Sequence, residues 1–171
     1  RAKHERGASR ITRVSLSAQD ISGSSWDFRS PDIRREFCRR LDEYAPSVVH
    51  FHNIVGLSME MIDECYRRQI ATVMTLHDYW GICYKNTLLK NSGEICKQGG
   101  LVCLDCREVL AGRLPVPSPV RNAQILFSLR KVDRLITPSR FVAEQYAANG
   151  VLKDKLTVIQ NGIDVETFSP G

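Results

Sequence analysis

The residues best suited to proton and hydrogen-bond chemistry are three histidines, His50, His52 and His77, each at the end of a short apolar, β-branched run. Imidazole titrates near neutrality, donates or accepts hydrogen bonds and ligates metals, so its placement decides its use. His50 and His52 are two residues apart in Val48-Val49-His50-Phe51-His52, so on a strand both point to one face, where a pair can chelate a metal. The competing reading is structural, with His50 a hydrogen-bonded core residue and no identifiable third ligand. His77-Asp78 closes the run Ile70 to Leu76, and such a polar turn either meets a ligand or caps its own backbone.

Cysteine supplies the second set. Cys83, Cys96, Cys103 and Cys106 follow the spacing C-x12-C-x6-C-x2-C, in which Cys103-Leu104-Asp105-Cys106 is a tight chelating pair. A turn at Gly93 would bring Cys83 and Cys96 together, and four thiolates close a tetrahedral structural zinc site. Disulfides, unlinked thiols and an iron–sulfur cluster are the other readings of the same spacing. Metal binding makes physical sense here, since it offsets the cost of ordering a long loop. Cys38 and Cys65 fall at apolar helix positions and read as buried free thiols.

These residues need a frame, and the alternation of patterns supplies one. Ser30-Pro31-Asp32 opens a helix, with Ile33, Phe37, Leu41 and Tyr44 at helical spacing until Pro46. The run at 48–52 reads as a strand, Met59 to Arg68 as a helix and Ile70 to Leu76 as a second strand. Periodicity then lapses over residues 79–116, a cysteine-bearing insertion too long for an ordinary connection. It resumes with a helix at Val120 to Arg130, a strand at Arg134 to Thr137, a helix from Ser139 to Asn149-Gly150 and a strand at Leu156 to Gln160. The economical architecture is α/β, a doubly wound, mostly parallel sheet with helices on both faces. In such a sheet, ligands meet the strand carboxyl ends. This singles out His52-Asn53, His77-Asp78, Ser139-Arg140 and Asn161-Gly162. Ser139 can cap a helix and Arg140 can reach phosphate.

Composition excludes other classes. The chain has 171 residues, 43% hydrophobic and 25% charged, which fits one globular domain over 1–171. No segment approaches the roughly 18 consecutive apolar residues of a membrane span. The charged start, Arg-Ala-Lys-His-Glu-Arg, is unlike a signal peptide, so a cytoplasmic location is expected. Net charge is +5, from 24 basic against 19 acidic residues, compatible with phosphate ligands or peripheral contact with an anionic membrane face. Basic residues are spread along helix-like positions with no arginine-rich arm, so no nucleic acid partner is expected.

Four stretches then carry a resemblance. Val48-Val49-His50-Phe51-His52-Asn53, Thr75-Leu76-His77-Asp78-Tyr79-Trp80, Thr137-Pro138-Ser139-Arg140-Phe141 and Val158-Ile159-Gln160-Asn161-Gly162-Ile163-Asp164 resemble, in order and spacing, the N-terminal domain of a family 4 glycosyltransferase of the GT-B type. The resemblance implies the acceptor-side half of a retaining enzyme, one Rossmann-like domain of two. His77 is then the catalytic contributor near the transferred sugar, and His52-Asn53 line the acceptor pocket. It also implies a nucleotide-sugar donor bound mainly by a C-terminal domain absent here, a glycan or lipid-linked glycan acceptor, and work in bacterial surface polysaccharide assembly. The glycine-rich loop expected after the first strand is missing, and the Asn-Gly-Ile-Asp segment normally leads into the second domain, so truncation at both ends is expected. A reading from another class is a non-catalytic, zinc-stabilised binding module whose doubly wound fold is coincidental.

Overall fold

The structure is a computed structural model that describes residues 13, 15, 29–83, 85–96, 118–164 and 167. Four parallel strands alternate with helices: α1 (Pro31–Tyr44), β1 (Val48–Phe51), α2 (Glu60–Arg67), β2 (Ala71–Thr75), α3 (Ser118–Leu129), β3 (Arg134–Thr137), α4 (Arg140–Ala148), a 3-10 turn (Lys153–Lys155) and β4 (Leu156–Val158). Local chemistry sets the boundaries. Ser30 caps α1 by accepting from the Ile33 amide, Pro31 occupies the first turn, and Ala45 ends the helix in the left-handed region. β4 stops two residues short of the expected Gln160, at the sheet edge where Ile159 makes one last bond to the Thr137 carbonyl.

The sheet is the parallel, Rossmann-like α/β arrangement expected, with strands in the order β1-β2-β3-β4. The placement of the described helices follows from this strand order. Each crossover joins neighbouring parallel strands in one direction, so right-handed connections put α2, α3 and α4 on the same side. α1 joins that layer through Phe37, whose ring lies 6.0 Å from that of Phe51. A sheet that advances one strand at a time does not reverse its winding, and no reversal occurs among the described residues.

The core therefore lies on one side. Phe51, Met74 and Leu135 are buried beneath Ile62, Cys65, Ile125, Leu129, Val142 and Tyr146. Between α1 and α2 sits the buried carboxylate of Glu64. Burial pushes it up, but the guanidiniums of Arg68, Arg67 and Arg34 outweigh that and hold its pKa below the ordinary value. Cys65 is fully buried beside it, and burial raises its thiol to about 11. Cys38 is only half-buried, which corrects the expectation that both helix thiols are enclosed.

Candidate active site

Strand register brings the histidines together. His50 lies opposite Val73, so the partner two residues on is Thr75, and the same step from His52 reaches His77. Both contacts form: His50 Nε2 is 2.9 Å from Thr75 Oγ1, and His52 Nδ1 is 2.9 Å from His77 Nε2. The rings make a row, with centroids 4.2 Å apart for His50 and His52 and 5.2 Å apart for His52 and His77. Since one nitrogen of a hydrogen-bonded pair donates and the other accepts, the His52–His77 contact gives the two rings opposite roles. His50 is exposed on the sheet's more open face, not in the core as expected, because alternation along β1 sends Phe51 to the helices and His50 away from them. Burial against its neighbours, then the charges of His52 and His77, lower its pKa and favour neutral imidazole.

Other candidate residues serve local structure. Asn53 Oδ1 accepts from the Val55 amide at 3.1 Å, and Asp78 Oδ1 accepts from the Trp80 amide at 2.8 Å, so both brace their own turns. Ser139 caps α4 by accepting from Val142 at 3.3 Å, while Arg140 is exposed on its first turn. Asn161 and Gly162 are exposed beyond β4, and a Cβ placed on Gly162 would meet nothing within 4 Å. The β1 and β2 ends thus converge.

Several neighbours escaped the reading of the sequence. Thr75 opened one of the four quoted stretches without a role of its own, yet it anchors His50. Tyr79, in the turn after β2, and Phe141, on the first turn of α4, meet edge-on at 6.4 Å, each four residues beyond its strand. Arg121 is 2% exposed, donates to the Trp80 carbonyl at 3.2 Å and lies 5.5 Å over the Trp80 ring. It sits on α3, 41 residues away in sequence, where nothing local betrays the contact.

Compared with known protein families, residues 5–167 match Glycosyltransferase Family 4, a span that takes in every candidate position. The chain belongs to this family. No curated protein and no solved structure matches it. A family 4 domain is part of a glycosyltransferase, so a sugar donor and an acceptor are its substrates in general terms. Among the described residues no helix is long and apolar enough to cross a membrane.

In this family 4 domain the cysteine segment is partly described. Gly93 adopts φ +84° and forms a turn, with an antiparallel bridge between Leu89 and Ile95 and the Cys96 amide donating to the Leu88 carbonyl. Cys83 is buried, Cys96 packs against the core, and neither is in a disulfide. Cys103 and Cys106 lie outside the described residues. Among the described residues no three His, Cys, Asp or Glu side chains converge as a metal site, and His52 Nδ1 is engaged by His77 rather than turned with His50 toward a common ligand. A groove of about 640 Å³ between α2 and α3, lined by Met59 and Phe127 among others, holds none of the candidate residues.

Proposed function

We propose that the chain is the acceptor-side half of a retaining glycosyltransferase that moves a sugar from a nucleotide sugar to a glycan or lipid-linked glycan, in bacterial surface polysaccharide assembly at the inner membrane face. The observation that carries this reading is the His52–His77 contact at the carboxyl ends of adjacent parallel strands, where sheets of this kind meet ligands. Retaining transfer needs a departing diphosphate stabilised and an acceptor hydroxyl held at the anomeric carbon. In the proposal His77 donates a hydrogen bond to the transferred sugar, His52 fixes which His77 nitrogen is free to do so, and Asn53 and Asp78 shape the turns around them. Arg140, exposed on the first turn of α4, supplies positive charge toward phosphate, and Asn161-Gly162 leads toward the donor-binding domain.

The test is transfer from UDP-, GDP- and ADP-hexoses by the full-length gene product, with and without His77→Ala. Loss of about 10²-fold or more in kcat, with unchanged unfolding, supports the reading. Wild-type kcat in His77→Ala overturns it.

We also propose that Cys83, Cys96, Cys103 and Cys106 hold one structural zinc. Its support is the spacing together with the free thiols of Cys83 and Cys96. The metal would tie the insertion to the domain and shape the acceptor side. Metal content after purification without added metal, with thiol titration before and after chelation, decides the matter. One zinc per chain with four thiols released is expected, and metal-free protein would sink the proposal.

A further inference from the structure

The turn that carries His77 into position is held from beneath by one buried phenol. Within the turn, the Ile82 and Cys83 amides donate to the Tyr79 carbonyl at 2.9 and 2.7 Å, and Asp78 braces Trp80. Two groups that flank this local network share a partner far along the chain. Tyr146, on α4, donates its hydroxyl to the Asp78 carbonyl at 3.0 Å and accepts from the Gly81 amide at 3.1 Å. Its side chain is 1% exposed. Gly81 permits that approach: a Cβ there would stand 2.9 Å from Tyr146 Cε1 and 3.3 Å from Leu129 Cδ1.

We propose that Tyr146 is the positioning residue for His77, its hydroxyl pinning the Asp78–Gly81 turn so that the imidazole stays in register with His52. The role at substrate rests on the glycosyl-transfer reading; the positioning itself does not. A phenylalanine would fill the same core volume, so packing alone does not call for the hydroxyl, whose donor and acceptor capacities are both used. Burial also raises the phenol's pKa, which favours the protonated, donating form. Positioning at this precision matters because a misplacement of about 1 Å can cost on the order of 100-fold in rate.

The experiment is Tyr146→Phe in the chain with ¹⁵N-labelled histidine, read by imidazole nitrogen resonances and by amide hydrogen exchange. The expected result is cooperative unfolding, Gly81 exchange faster by about tenfold, and shifted His77 and His52 ring resonances. In the full-length gene product kcat should fall with KM unchanged, and Tyr146→Phe should add nothing on a His77→Ala background. A variant that unfolds more easily but leaves the His77 resonances and Gly81 exchange as in wild type overturns the proposal without touching the glycosyltransferase reading. Shifted resonances with undiminished transfer in His77→Ala would keep the positioning and refute the proposed function. Should the variant fail to fold, the wild-type chain still decides: Gly81 must exchange as slowly as the Leu135 amide, and exchange at the rate of an open loop refutes the bond.

Discussion

On one face of the sheet Phe51, Met74 and Leu135 are buried under four helices; on the other, His50, His52 and His77 remain exposed although they alternate with those residues along the same strands or just beyond them. The same backbone register builds both faces. On the helix side it aligns apolar groups that gain from leaving water. On the open side the diagonal step that brings His50 to Thr75 also brings His52 to His77. Stability and candidate chemistry are therefore assigned to opposite faces of one element, which lets polar rings cluster without the cost of burying them.

That division can be broken most severely at Leu135, which is fully buried. Leu135→Ala should destabilise the domain by about 3 kcal/mol, from lost transfer energy and the cavity left behind. Val48→Ala, at a position 53% exposed on the open face, should cost less than about 0.5 kcal/mol. Urea unfolding of the two variants makes the comparison, and equal losses would show that both faces carry the core.

The next effect comes from Cys65 on the covered side. Its thiol sits at about 11 in the fold against an ordinary 9.0, so the unfolded chain releases its proton first as pH rises. The neutral thiol's contribution is complete below pH 9 and is lost as pH climbs through about 11, a difference of roughly 2 to 3 kcal/mol. Unfolding free energy measured across pH 8 to 11 should fall more steeply in wild type than in Cys65→Ala. Parallel curves would mean that the thiol is solvated.

Much of this frame is legible in the sequence because local signals and tertiary needs agree. Ser30-Pro31 marks a helix start, Pro46 a stop, and Arg134 to Thr137 a strand with the bounds observed. The candidate histidines were legible for the same reason, as polar residues at the ends of apolar runs. What escaped was long-range. Whether two strand ends adjoin depends on strand order, and the contacts of Arg121 and Tyr146 with the 78–81 turn join residues 41 to 68 positions apart. Side-chain hydrogen bonds at such separations have no period to read. Strand order was likewise unreadable, since an apolar strand reads alike whether its neighbours advance or reverse.

Two smaller effects separate capping from ligand contact and test the open face itself. Ser139→Ala removes the acceptor for the Val142 amide and should cost about 1 kcal/mol without altering the His52 or His77 ring resonances; a change there would join the β3 end to the histidine row. At His50 the expected effect is a pH slope. Burial, followed by the charges of His52 and His77, lowers its pKa from the ordinary 6.5, so the unfolded chain takes up its proton first as pH falls. The contribution of neutral His50 is thus fully present above pH 6.5 and declines as the pH drops through the lowered value. Because the ring is exposed, solvent screens the effect and the slope should be shallow. His50→Gln should remove it, flattening stability between pH 5 and 7; an unchanged slope in the variant would show that His50 protonates in the folded chain as readily as in the unfolded one.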